Sequence, residues 1–399
     1  MTTLFVVHDA PYPPRSGAPL RTWQNICLLA TLGPVHVFSV GIREGEVTMP
    51  KVASWTHVDA RDFPIRSHGM LPRLLRLARP REFPVENDFA TDDISQRLLT
   101  VVRNVNPQLI VVSHWHNALP RVLRGRHRLI ADTHNVESLL ATHLACANKS
   151  RLTLRQRFQL YQWRRRELNY LKQTDRIWVT SAEDAHIFRQ MDNRLPPIVV
   201  WPNAIDLEAF DQFTSRDDNP GYASSHPTIG FVGYYGYGPN AAAAKALIQD
   251  IHPRVASALR GSRLLLIGKG PTEFMKRSAL QDPNIIVTGE VDDVREYLRD
   301  IDVLAVPLTT GGGTRIKILE AFASRIAVVS TAKGAEGIEA VAGRDIEICS
   351  VEEMGDRCLE LLLDGFRRQR QARAAFALVK ERYSWRSLES QLLGALGLL

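Results

Sequence analysis

The stretch that most constrains this chain runs from Asp302 to Ser330, DVLAVPLTTGGGTRIKILEAFASRIAVVS. An apolar run ends at Val306-Pro307, a loop of two threonines and three glycines follows, and a second apolar run covers Ile326 to Val329. Between them the spacing predicts a short helix from about Arg315 to Ala323. A strand, a glycine turn and a helix N-terminus bring free backbone N–H groups and the positive end of the helix dipole to one point, which makes an anion cradle. The order recurs at Leu4–Val7 with the PPRSGAP loop, over residues 228–248 (TIGFVGYYGYGPNAAAAKALI) and over residues 263–277 (RLLLIGKGPTEFMKR). This is how doubly wound α/β domains are built, with the loops at the carboxyl edge of a parallel sheet, where ligands bind. A length of 399 residues is too great for one ordinary core and suits two domains.

Glu320 narrows the reading. It falls in the second turn of the expected helix, among Ile316, Ile318, Leu319 and Phe322, so its carboxylate is expected to look along the helix toward the loop and accept from a pair of hydroxyls. A carboxylate on a ribose diol, beside backbone amides on a diphosphate, is a nucleotide-sugar site. The pattern resembles the carboxy-terminal signature of family 4 glycosyltransferases, retaining enzymes of GT-B fold. In that signature two glutamates are separated by seven intervening residues. Here Glu320 fills the second place and Gly312 the first, so the first glutamate is missing. The GGGTRIKILEAFA form is similar to one branch of the family, and the loss is read as altered sugar contacts, with loss of activity as the alternative.

The resemblance extends to IVVWPNAIDLEAF (residues 198–210), which matches the family's linker, and to ERYSW (Glu381–Trp385). It implies two doubly wound Rossmann-like domains facing across a cleft. Residues 1–201 would bind the acceptor, with 386–399 packing back on them, and residues 202–385 would bind the nucleotide sugar. The implied reaction moves a hexose-type sugar from a nucleoside diphosphate donor, with UDP the expected nucleotide, to an acceptor that the sequence does not identify. Two rivals stay open: a nucleotide-sugar hydrolase or epimerase on the same fold, and a non-catalytic GT-B binding subunit.

Carried over residue by residue, the resemblance implies donor contacts at Gly17, Gly233, Gly268 and Gly289, with Glu290 and Val291 at the base. The opening stretch adds Gly311, Gly312, Gly313, Thr314, Arg315, Ile316 and Glu320. Where relatives carry an arginine and a lysine for the diphosphate, Tyr235 and the Pro239-Asn240 pair stand instead, so Arg315 and Lys317 are the candidates for the missing positive charge. His134, at the end of the 128–138 segment, aligns with the family's histidine beside the donor sugar and is the expected catalytic group together with Arg315 and Lys317. Arg15, His114, His116 and Asn135 are the expected acceptor contacts. His114, His116 and His134 could in principle converge on zinc. The resemblance instead implies no metal and no cofactor beyond the nucleotide-sugar cosubstrate, and no acidic ligand completes the set. The Asp292-Asp293 pair and Asp300-x-Asp302 read as a helix start and a strand start rather than as metal ligands.

Charge is informative once divided. Residues 1–200 hold 27 Lys+Arg against 17 Asp+Glu and the remainder 23 against 26, so the halves carry +10 and −3. A basic first half suggests an anionic acceptor, a lipid phosphate or a membrane surface, or else solvated arginines. Leu71, Leu74, Leu75 and Leu77 among arginines form a second candidate membrane face, set against a short packed helix. The helix expected from Arg151 to Lys172 holds seven basic residues, but Leu154, Phe158, Tyr161 and Leu168 are expected to keep an apolar face packed, which favours a solvated basic face over nucleic-acid binding. Cys27, Cys146, Cys349 and Cys358 lack metal-like spacing and read as free thiols. No apolar run is long enough for a membrane span and the opening MTTLFVVHDA lacks secretory features, so the expected location is the cytoplasm, with peripheral contact at the inner membrane face.

Overall fold

The structure is a computed structural model and describes residues 1–8, 10–14, 17–41, 48–59, 92–113, 123, 127–147, 152–211, 226–312 and 315–398. The chain divides into two compact units, one of residues 1–202 with 394–399 and one of residues 203–393.

In the first unit, strands β1 (Thr3–His8), β2 (Val35–Gly41), β3 (Ser54–Asp59), β4 (Leu109–Ser113), β5 (Arg128–Asp132), β6 (Arg176–Val179) and β7 (Ile198–Val200) form one sheet in the order β3-β2-β1-β4-β5-β6-β7. Every pairing is parallel, and β1 lies between β2 and β4 with Thr3 opposite both Val35 and Leu109. The order reverses at β1, so the ends of β1 and β4 flank a topological switch point. Strands such as Leu109–Val112 and Ile177–Val179 are fully buried, as a sheet covered on both faces requires.

Helices α1 (Gly17–Ala30), α2 (Asp92–Val105), α3 (Glu137–Ala147), α4 (Leu154–Leu171) and α5 (Ala182–Met191) accompany these strands. Helix α1 starts at Gly17 rather than near Leu20, because Pro19 in a first turn forfeits no intrahelical hydrogen bond. Helix α4 starts at Leu154 behind a capping box: the Gln156 amide donates to Thr153 Oγ1 at 3.2 Å and the Thr153 amide to Gln156 Oε1 at 3.0 Å. One expectation is corrected here. Leu154, Phe158 and Tyr161 do not pack inward but are 84%, 50% and 59% exposed, because Glu167, Tyr170 and Leu171 supply the buried face of α4 instead.

In the second unit, strands β8 (Thr228–Val232), β9 (Arg263–Ile267), β10 (Ile285–Gly289), β11 (Val303–Val306), β12 (Ala327–Ser330) and β13 (Glu347–Ile348) pair in parallel in the order β10-β9-β8-β11-β12-β13. Helices α6 (Gly238–Ala246), α7 (Glu273–Gln281), α8 (Ile316–Ala323), α9 (Met354–Leu363), α10 (Gly365–Arg382) and α11 (Trp385–Leu396) follow the strands. Phe231, Leu264, Leu266, Leu304, Phe322 and Val328 are fully buried in its core. The 198–210 and 381–385 signatures meet here: the Ile205 amide donates to the Tyr383 carbonyl at 2.7 Å and the Trp385 amide to the Ile205 carbonyl at 3.1 Å. From Gly394 onward α11 belongs to the first unit, where Trp178 Nε1 donates to the Ala395 carbonyl at 3.0 Å. Among the described residues, no helix is long and apolar enough to cross a membrane. The candidate face carrying Leu71, Leu74, Leu75 and Leu77 lies outside the described residues.

Candidate active site

At the carboxyl edge of the second unit's sheet, β8 and β9 run directly into glycine, β10 ends in one, and a glycine loop follows β11. The Gly233 amide, after β8, donates to the Ile267 carbonyl at 2.9 Å, and the Gly268 amide, after β9, donates to the Gly289 carbonyl at 3.1 Å. Gly268 has φ +132°, and a methyl built on it would stand 2.1 Å from the Gly233 carbonyl oxygen. Only glycine allows the two turns to approach so closely. Gly289 ends β10 at φ +73°, and Gly311, in the loop after β11, has φ +105°. In that loop Arg315 Nη1 donates to the Gly312 carbonyl, while Arg315 serves as the cap residue of α8. The cap position leaves the first amides of α8 without intrahelical acceptors.

Lys317 ties this helix to the β8 turn. Its Nζ donates to Asn240 Oδ1 at 3.0 Å and lies 4.0 Å from the centroid of the Phe231 ring, and Asn240 Nδ2 donates to the Tyr234 carbonyl at 2.9 Å. One amide side chain therefore bridges the ammonium and the turn at Gly233. Burial, reinforced by the nearby Arg315 charge, lowers the Lys317 pKa to about 7, against the pull of Glu320. Glu320, 7% exposed, is raised to about 7 by burial and by Asp293, with Lys317 and Arg295 holding it down. No hydrogen bond reaches its carboxylate among the described residues. Arg295 is itself fixed by Asp293, with contacts of 2.6 to 3.1 Å, and by donation to the Ala209 carbonyl at 2.6 Å. The edge thus holds a lysine that an incoming anion would charge and a carboxylate that hydroxyl donors would ionise.

In the first unit His134 sits two residues past the end of β5 on a buried polar network. Its Nε2 is 2.9 Å from Ser113 Oγ, at the end of β4, and 3.6 Å from Asp132 Oδ2. Asp132 accepts from Arg21 Nε at 3.0 Å, Arg21 Nη2 at 2.6 Å and Asn25 Nδ2 at 3.0 Å, both donors coming from α1. Arg21 Nη1 donates onward to the Trp201 carbonyl at 2.8 Å, and Trp201 Nε1 donates to Asn25 Oδ1 at 2.9 Å. Burial works to raise the Asp132 pKa, but the Arg21 charge and the His134 contact outweigh it and hold the carboxyl below its ordinary value. The imidazole therefore rests on a carboxylate that stays ionised.

The structure brings Gly233, Asn240, Gly268, Gly289, Gly311, Gly312, Arg315, Ile316, Lys317 and Glu320 to one sheet edge and its adjoining helix. Tyr235 is different: its side chain is 2% exposed, its hydroxyl donates to the Phe231 carbonyl at 3.3 Å, and burial pushes its pKa up. Its ring belongs to the core. Glu290 is exposed and pairs with Lys269 at 3.2 Å, with Val291 partly buried beside it. Gly17 opens α1 in the first unit, and Asn135 Nδ2 donates to Glu137 Oε1 at 3.0 Å. Arg15, His114, His116, Gly313 and Thr314 lie outside the described residues. Asp302 Oδ2 accepts from the Thr228 amide at 2.9 Å and Asp293 is occupied by Arg295, so each has a structural task. Sequence reasoning missed Arg21, Asn25, Ser113 and Asp132. The signal was present in Arg21 and Asn25, polar residues four apart, and so on one face, in a helix buried over residues 21–29.

A search of solved structures finds the whole architecture elsewhere. A sucrose-phosphate synthase from Thermosynechococcus elongatus aligns with a TM-score of 0.72 at 13% identity, covering 99% of this chain and 98% of that one. The fold is GT-B. Anabaena HepE in complex with UDP-glucose has the same GT-B architecture, with a TM-score of 0.68 at 13% identity over 100% of both chains. Residues 226–364 match the family model described as Glycosyl transferases group 1, so the match falls within the second GT-B domain. A curated relative, phosphatidyl-myo-inositol mannosyltransferase of Mycobacterium tuberculosis, is 26% identical over 217 residues, covering 51% of this chain and 55% of the relative. The match spans about half the length of that protein.

Proposed function

We propose that this protein is a glycosyltransferase that takes a hexose-type sugar from a nucleoside diphosphate donor, with retention of anomeric configuration and without a metal ion. The observation that carries the reading is the Lys317–Asn240–Gly233 bridge at the edge that also holds Gly311 and Glu320. A diphosphate placed there meets backbone amides, the N-terminus of α8 and an ammonium, and Glu320 accepts from the ribose hydroxyls. The matched family model over residues 226–364 and the UDP-glucose bound by the HepE structure support a nucleotide sugar, with UDP the first nucleotide to test.

The chemistry is electrostatic. As the bond from the anomeric carbon to the diphosphate breaks, negative charge grows on the phosphate oxygens, where Lys317, Arg315 and the loop amides are positioned to stabilise it. A departing phosphate oxygen takes the acceptor's proton, so no separate general base is required. His134, held by Ser113 and Asp132, orients the sugar and shields its cation-like state. The basic first half of the sequence supports an anionic acceptor.

The test is to incubate the purified protein with a panel of nucleotide sugars, with and without a cell extract as a source of acceptor. Sugar transfer only in the presence of extract supports the reading. Release of sugar without extract would replace it with a hydrolase or epimerase, and binding without turnover with a non-catalytic subunit. That last reading draws on Gly312, which stands where relatives place a glutamate.

A further inference from the structure

Beside the phosphate-binding turn lies an aromatic ring that the proposed chemistry does not use. Tyr234 follows Gly233, and its carbonyl accepts from the Tyr237 amide at 3.2 Å, closing a turn over residues 234–237. The side chain folds back across this turn. A methyl built on Gly236 would stand 2.3 Å from both the Cζ and the hydroxyl of Tyr234, and one built on Gly270 would stand 3.2 Å from its Cε2. The ring therefore lies on two glycines from two adjacent loops, packed there only because neither has a side chain. Its other side is open. Tyr234 is 53% exposed, and no aromatic ring or cation covers it among the described residues.

We propose that the ring of Tyr234 is the platform on which the nucleobase of the donor stacks. This deepens the nucleotide-sugar reading and rests on it. Three observations point to a base rather than to a phosphate or a sugar. The ring is flat, supported from beneath and uncharged, which suits a planar π system. It sits over the ends of β8 and β9, whereas the anion turn and Glu320 follow β11 on the other side of β8. Strands are spaced by about 4.8 Å, so the ring lies one to two strand spacings, roughly 5–10 Å, from the turn after β11, the order of the span from base to diphosphate. Finally, the β9 loop beneath the ring is tied to the β10 loop by the Lys269–Glu290 pair at 3.2 Å, which places backbone groups of residues 289–291 beside the platform for the edge of a base. A stacking face accepts any base, so discrimination among bases falls to those backbone groups.

The experiment is calorimetric titration of the full chain and of Tyr234→Phe, Tyr234→Leu and Tyr234→Ala with UDP, GDP, ADP, UDP-glucose and inorganic pyrophosphate. For whichever nucleoside diphosphate the wild type binds, Tyr234→Ala and Tyr234→Leu are expected to weaken binding about tenfold or more, and Tyr234→Phe to keep it within about threefold. Pyrophosphate binding is expected to change by less than about twofold in all three. Nucleotide binding unaltered by Tyr234→Ala overturns the proposal while leaving the nucleotide-sugar reading standing. Equal losses for nucleotide and pyrophosphate also overturn it, by making the ring a support for the turn. A loss confined to UDP-glucose overturns it in favour of sugar stacking. A wild-type protein that binds no nucleotide at all removes both readings. Because the ring is exposed, thermal unfolding of the variants should match the wild type, and Tyr234→Phe controls for any that do not.

Discussion

Lys317 and Glu320 both titrate near neutrality in the free protein, at about 7 each. Burial disfavours the charged form of each, lowering the lysine's pKa and raising the glutamate's, which makes the proposed donor site testable by counting protons. A diphosphate at Lys317 favours the ammonium. At pH 7 about half of the lysine must gain a proton when the ligand binds, so Lys317 contributes an uptake of about half a proton. Hydroxyl donors at Glu320 favour the carboxylate, so this residue contributes a release of about half a proton. In the wild type the two nearly cancel. Lys317→Met removes the uptake and also the cation that holds Glu320 down, so the variant should release about half a proton or more on binding UDP-glucose. Glu320→Gln should show the opposite sign, a net uptake of about half a proton or more. Each variant also loses a charged hydrogen-bonding group and should bind more weakly by about 1.5–3 kcal/mol. The assay is calorimetric titration with UDP-glucose at pH 7 in buffers of differing ionisation enthalpy, and the slope of apparent enthalpy gives the protons exchanged. UDP-glucose is preferred to UDP because its diphosphate is a diester and does not itself titrate near pH 7. Two variants with the wild-type proton count would refute the placement of diphosphate and ribose at these residues.

Three further outcomes follow from the first unit and its network. Arg21→Met leaves Asp132 buried with its main counter-charge gone, and should cost about 3–5 kcal/mol of stability, read from urea unfolding monitored by tryptophan fluorescence; a loss under about 1 kcal/mol would show that Asn25 and Ser113 suffice. Glu167, which accepts from the Glu137 and Ser138 amides at 2.8 and 3.2 Å, has its pKa raised to about 7, chiefly by burial. The folded state therefore holds a proton that the unfolded chain gives up above about 4.5, and stability should fall as pH rises from about 4.5 through 7, by up to about 1.4 kcal/mol per unit. Glu167→Gln should flatten that slope in denaturation series across the window, and an unchanged slope would assign it elsewhere. Once a donor and acceptor are in hand, His134→Ala should lower kcat about a hundredfold with little change in nucleotide affinity. An unchanged kcat would remove His134 from the chemistry.

Much of the fold was legible because it is written in local signals. Apolar runs ending in glycine turns mark strands at the carboxyl edge of a parallel sheet, and Ser181 marks a helix start through its own hydrogen bond. The packing of α4 was not legible. Leu154, Phe158 and Tyr161 have helical spacing, yet spacing states only that residues share a face, not that another element covers it. The adjacent tyrosines Tyr234 and Tyr235 show the same limit. Nothing local separates them, and the turn sends one ring into the core and lays the other over Gly236 and Gly270.

By itself, the sequence determined the α/β class, the strand–glycine–helix order at residues 302–330 and the residue types able to meet a diphosphate and a diol. These follow from backbone conformation and side-chain chemistry, which act over a few neighbouring residues. Only the tertiary structure decided which charges meet. Lys317 reaches Asn240 across 77 positions and Arg21 reaches Asp132 across 111. The neutral-range pKa values of Lys317 and Glu320 come from burial within the folded unit, a property no stretch of sequence carries alone. Electrostatics and desolvation depend on distance in space, and the fold sets that distance.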